Sequence, residues 1–226
     1  MTYFKKISSI LLLCLLFSCK KKGCTDNHAV NYDAYAQKNI GCIYNTCISG
    51  VYDSTYNFHE FSPAYEFTYT YDPNTFLEDG TGGLDLDEDG INDVIFSNVT
   101  AYVDSGFTGD MSNGVPRLDV HSLNGYEIGI YQAAVWTVPN TNSTWPYACK
   151  LPYEHTFVSE NGALFEWENS AHMWWGYTAV APLGAWISSQ TSPAYLAVSK
   201  GSRHGWIEFD MSDRDHPKII SYAMQE

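Results

Sequence analysis

Positive charge is what this sequence has least of. Twelve Lys and Arg stand against 26 Asp and Glu, giving a formal net charge of -14. A surface this acidic repels phosphate backbones, which argues against nucleic acid as a partner. Long apolar runs are scarce as well, and after Phe17 no stretch is long enough to span a bilayer. Catalytic signatures are missing: neither Gly-x-Ser-x-Gly nor His-Glu-x-x-His occurs. The seven histidines are scattered, with no three at ligand spacing. No Cys-x-x-Cys pair is present, which argues against a cysteine-bound metal. Nor is there a helical stripe of three turns, so a helical bundle is excluded.

The N-terminus is the exception to the shortage of apolar sequence. Met1 to Ser18 has the three parts of a secretory signal: Lys5 and Lys6, the apolar run Ile10 to Phe17, and a small residue before a cleavage point. The run is too short to cross a roughly 30 Å hydrocarbon core as a helix. Leu16-Phe17-Ser18-Cys19 resembles the lipobox of bacterial lipoproteins, with Phe17 bulkier than usual. The resemblance implies cleavage before Cys19, lipid on that cysteine, and residence in the cell envelope as an outer-membrane lipoprotein. Cleavage would leave 226 − 18 = 208 residues and, with two lysines lost, a charge of -16. Lys20, Lys21 and Lys22 would then lie beside the lipid and contact headgroups of the membrane.

Four cysteines remain past Cys19. An even count in an exported chain reads as two disulfides, with three connectivities open. Gly23-Cys24-Thr25-Asp26, Ala29, Asn31-Tyr32, Ala36 and Gly41-Cys42-Ile43-Tyr44 resemble a short cysteine module of surface and secreted proteins from Gram-negative gliding-type, Bacteroidota-like bacteria. Asn27 stands where that module usually has Pro, and the Ser before its last Cys is absent. The resemblance implies a Cys24–Cys42 bridge and a spacer role for residues 19–50, and with that bridge a Cys47–Cys149 pair.

From Val51 to the end the pattern is β. Tyr65, Phe67, Tyr69 and Tyr71 alternate with Glu66, Thr68 and Thr70, the period of a half-buried strand. Short runs of similar character follow at 94–96, 118–121, 127–130, 134–138, 164–167, 195–198, 206–211 and 218–223, separated by Asn, Gly, Pro and Ser clusters. In the run 206–211, Ile207, Phe209 and Met211 are expected inward, with Trp206, Glu208 and Asp210 opposite. The expected fold is an all-β, antiparallel, jelly-roll-like sandwich, with a barrel as the alternative closure.

The densest chemistry is Asp85-Leu86-Asp87-Glu88-Asp89-Gly90-Ile91-Asn92-Asp93. Side chains at alternating positions converge only if the chain curls around a point, and Gly90 permits that turn. Carboxylates of Asp85, Asp87, Asp89 and Asp93, with the Ile91 carbonyl, would form an oxygen cage suited to Ca2+ rather than Mg2+. Four carboxylates this close repel one another unless a cation sits between them. The loop departs from an EF-hand, since Phe96 occupies the position of the bidentate Glu and a strand follows. It resembles the Asp-x-Asp-x-Asp-Gly-x-x-Asp loops of extracellular β-domain proteins, in which the last Asp closes the cage. Residues 83–93, Ser122-Leu123-Asn124-Gly125, 195–198, 204–207 and 220–223 together resemble uncharacterised secreted β-domain proteins of similar bacteria. That likeness carries no activity.

Two further sets bear on function. Glu166 and Glu168 lie two apart on a strand, with Cα atoms roughly 6.5–7 Å apart, within reach of a retaining glycosidase's paired acids. Trp145, Trp174 and Trp175 lie in turn-rich stretches where exposed rings can stack on sugars or anchor a protein. The expectation is a calcium-stabilised binding or structural module for a glycan or protein ligand. A jelly-roll glycoside hydrolase is the alternative.

Overall fold

The computed structural model describes residues 20–72, 77–101, 117–131, 146–159, 162–163, 166–175, 186, 193–213 and 215–226. The signal segment, Cys19, Trp145, the run at 134–138 and residues 164–165 lie outside the described residues. Among those described there is no α-helix, and none long and apolar enough to cross a membrane.

The strands in chain order are β1 (Lys22–Gly23), β2 (Lys38–Asn39), β3 (Cys47–Ile48), β4 (Tyr56–Glu66), β5 (Thr68–Asp72), β6 (Leu77–Leu84), β7 (Val94–Ala101), β8 (Arg117–Ser122) and β9 (Glu127–Tyr131). They continue with β10 (Tyr147–Ala148), β11 (Thr156–Ser159), β12 (Gly162–Ala163), β13 (Glu166–Glu168), β14 (Ser170–Trp175), β15 (Ala194–Lys200), β16 (Arg203–Asp210) and β17 (Lys218–Gln225). One large sheet runs β4-β17-β16-β15-β9-β10-β14-β8-β7-β6-β5, with β13 also on β9. Its two ends, β4 and β5, are consecutive in the chain and separated only by Phe67. The sheet therefore nearly closes on itself, which leaves little free edge. All its pairings are antiparallel except β10 with β14, which run parallel.

Two cores lie on opposite faces of β15, β16 and β17. The larger holds Leu196, Val198, Ile207, Phe209 and Tyr222 together with Phe96 and Trp186. The smaller holds Tyr195, Ala197, Trp206 and Ala223 with Phe157, Val158, Cys47 and Cys149. The faces of Ile207 and Phe209 against Trp206 are those their alternation predicts. Trp206 is nonetheless buried, because the small sheet β12-β11-β3 contributes Val158 and Cys47 to its side. Burial on both faces explains why β15 reads as a continuous apolar run.

The all-β expectation and the Cys24–Cys42 bridge are both present, the latter with Cα atoms 4.8 Å apart. The expected Cys47–Cys149 bridge is not. Both are free, buried thiols. Cys47 belongs to the small sheet and meets the Tyr56 hydroxyl, whereas Cys149 follows β10 with its amide bonded to Gly129 of the large sheet. Each fills its own position in the apolar layer as a small hydrophobe.

The disulfide-tied segment docks on the large sheet through His28. Its Nε2 lies 2.6 Å from Glu127 Oε2 and its Nδ1 3.2 Å from Asp26 Oδ1. Trp167 stacks on the His28 ring at 5.5 Å. Tyr44 donates to Asp26 Oδ2 at 2.5 Å and fixes the carboxylate.

Candidate metal centre

The acidic loop joins β6 to β7, whose last pair is Leu84 with Val94. The Asp93 amide donates to the Leu84 carbonyl at 2.7 Å, so the ladder closes immediately below the loop. Leu86 is buried in the larger core and pins the loop's first turn. Beyond it the chain reverses through two left-handed residues, Glu88 at φ 61° and Gly90 at φ 90°. A side chain at Gly90 would meet nothing within 4 Å, so only its backbone conformation calls for glycine.

That reversal brings Asp85, Asp87 and Asp89 together, with one carboxylate oxygen from each within 4.8 Å of the others. The group can hold a metal ion. Asp85 also accepts from the Asp89 and Gly90 amides at 3.2 and 2.6 Å, and Asp89 accepts from the Ile91 amide at 2.8 Å. Each carboxylate oxygen has two lone pairs, so these bonds orient the group without exhausting it. Asp87 Oδ1 is buried, and the Tyr126 hydroxyl lies beside the Asp87 carboxylate. Carboxylate oxygens drawn this close together fit a hard cation.

Asp93 is placed differently from the triad. It is fully buried, and its Oδ2 accepts from the Leu86 amide at 2.9 Å while Oδ1 accepts from Asn124 Nδ2 at 3.2 Å. It ties the loop's two ends together. Asn124 and Gly125, at φ 53° and 79°, form the tight turn between β8 and β9, and Asn124 also bonds the Asn92 carbonyl. Ile91 is exposed, its amide tied to Asp89.

Three residues remote in sequence complete the surroundings. Lys200, at the end of β15, donates to Asp87 Oδ2 at 2.8 Å and lies 4.5 Å from the centre of the Tyr126 ring. That hydrogen bond lowers the Asp87 carboxyl below its ordinary range. The Tyr126 hydroxyl is buried beside Asp87; burial, then the charges of Asp93 and Asp87, raise its phenol. Tyr222 donates to the Asp85 carbonyl at 3.1 Å. Burial and then the loop's carboxylates push its phenol up to about 12. The field of the loop is thus strongly negative, and Lys200 is its nearest internal counter-charge.

The other predicted sets are not drawn together in this way. Glu166 and Glu168 are exposed on β13, opposite Ile130 and Ile128 of β9. Trp174 and Trp175 end β14, in register with Leu118 and Arg117. No protein-family model matches this chain. Neither a curated protein nor a solved structure matches it. Its chemistry is therefore read from its own residues; Lys200 and Tyr126 had no local motif to announce them, and Asn124 lay in Ser122-Leu123-Asn124-Gly125 without a role assigned to it.

Proposed function

We propose that this chain is an envelope lipoprotein, held by lipid on Cys19, whose β domain binds Ca2+ and serves as a binding or structural module for a glycan or protein. The observation that carries the metal reading is the convergence of the Asp85, Asp87 and Asp89 carboxylates. The donors are carboxylate oxygens, and Ca2+ accepts such hard oxygen ligands without the tight octahedron that Mg2+ demands. The lipid reading rests on the Leu-Phe-Ser-Cys register and the signal preceding it.

Melting in calcium tests the metal. A ligand that binds only the native state adds about 2.7 kcal/mol at a hundredfold excess over Kd. For a chain of this size that is a rise of roughly 5–10 °C. Asp89→Ala should abolish the rise, since Asp89 is exposed and its loss leaves the fold intact. Glu88→Ala should keep it, because Glu88 lies outside the converging group. Lys200→Met removes the competing cation and should tighten calcium binding by about two- to fivefold, as expected for a partly exposed pair. An Asp89→Ala variant that keeps the parent's calcium response would end the metal reading. Fractionation of Cys19→Ala with a carbonate wash, which strips peripherally held protein, tests the anchor: the variant should leave the washed membrane pellet, and retention there would refute the lipid.

A further inference from the structure

Charge is segregated along this chain. Residues 20–50 carry four lysines and two aspartates, a net of +2. Residues 51–226 carry the remaining six basic and 24 acidic residues, a net of -18. Within the small segment, Lys22 of β1 and Lys38 of β2 are Cα partners in the parallel ladder. Both are exposed, and no carboxylate among the described residues forms an ion pair with Lys20, Lys22 or Lys38. Like charges placed directly across a ladder repel, and in a chain with twice as many acids as bases an ion-pair partner is easily supplied. The pair is arranged to meet an anion from outside.

Apolar exposure concentrates in the same segment. Five of the twelve exposed large apolar side chains among the described residues are Val30, Tyr32, Tyr35, Ile40 and Ile43. Val30 and Ile43 are brought together by a 2.8 Å backbone bond, and Lys21 lies over the Tyr35 ring. These residues are not the ones that dock: His28 meets Glu127 and Tyr44 packs on the smaller core. The segment thus gives some of its residues to the domain and leaves lysines, rings and aliphatic groups exposed, with Lys21 over Tyr35. An anionic lipid surface matches both features, attracting the lysines and accepting the apolar groups at the headgroup boundary. The acidic body need not oppose this, since its charges are screened beyond about 8 Å at physiological salt.

We propose that residues 20–43 form a membrane-facing pad that lies on anionic headgroups and sets the orientation of the acidic β domain above them. This deepens the envelope reading, yet it acts without the lipid. Its test is co-sedimentation of the chain from Lys20 to Glu226, which holds every described residue, with a melt to check its fold. The probes are vesicles of phosphatidylglycerol and of phosphatidylcholine. Binding is expected to phosphatidylglycerol alone and to weaken with salt. Lys22→Gln with Lys38→Gln should lower the partition roughly 25-fold, at about fivefold per lysine, with no loss of thermal stability. Tyr35→Ser with Ile43→Ser should lower it too, whereas Leu123→Ser on the β domain should not. Absence of binding, or equal binding to both vesicles, overturns the pad. Because this chain lacks Cys19, that result leaves the lipid anchor untouched, and a failed anchor leaves this binding intact.

Discussion

His204 is a residue whose surroundings do not suit its chemistry. It is fully buried on β16, and neither ring nitrogen has a hydrogen-bond partner. The rings of Trp167 and His28 lie 5.6 and 6.3 Å away. Burial first, and then the neighbouring His28, depress its pKa from 6.5 to about 4. A base with a depressed folded pKa contributes stability in full above its unfolded value, and loses it as pH falls from 6.5 toward 4. The shift corresponds to about 3 kcal/mol across that window. His204→Leu leaves no charge to bury and no orphaned nitrogen, so urea midpoints of the variant should fall less between pH 7 and pH 4.5 than the parent's. An identical fall in both proteins would show that His204 does not govern the acid side. The acid-sensitive contact lies where the disulfide-tied segment meets the sheet, so loss of docking should precede loss of the β domain.

At the scale of elements, what the sequence revealed followed from local alternation. The aromatic run from Tyr65 to Tyr71 reads as one strand; the structure breaks it at Phe67 between β4 and β5, and Tyr65, Phe67 and Tyr69 face the larger core while Tyr71 is exposed. β7 and β16 were legible in the same way. β6 was not, because Leu-Glu-Asp-Gly-Thr-Gly-Gly-Leu has the composition of a loop. It is a strand because the rings of β5 lie across it. A Cβ at Gly80 would collide with the Tyr69 ring, and one at Gly82 with the Phe67 ring. Large side chains on one strand thus fill the space that glycines leave on the next. The metal loop divides likewise: the Asp spacing is local and readable, whereas Lys200 arrives from 113 residues away. Glycine also sets a limit between β16 and β17, where a Cβ at Gly205 would strike the Ala223 carbonyl. Backbone cannot swing aside as a ring can. Gly205→Ala should therefore cost about 1–3 kcal/mol by overpacking, lowering the melting temperature by roughly 2–12 °C. Gly80→Ala should cost clearly less, and an equal loss in both would mean that Tyr69 is as fixed as the backbone.

For the molecule as a whole, the question is whether its two cores unfold together. β15, β16 and β17 carry one core on each face, so loss of these three strands dismantles both cores at once. The buried thiols report on the smaller core. Burial pushes Cys47 up to about 12 and raises Cys149 as well, and the thiolate is the reactive form. The native protein should therefore resist a thiol reagent at these two positions. Under denaturing, non-reducing conditions both should react, while Cys24 and Cys42 stay bridged. Recovery of a Cys47–Cys149 peptide would instead restore the second disulfide. The metal loop reports on the larger core, through Leu86. If the shared strands make one cooperative unit, calcium bound at the loop should slow labelling of Cys47 and Cys149 by the same factor by which it stabilises the whole fold. Labelling that ignores calcium would mean that the small sheet opens alone, as a separate low-stability unit. The expected result is a shared slowing, because the strands that bury the thiols are the ones against which the metal loop's core is packed.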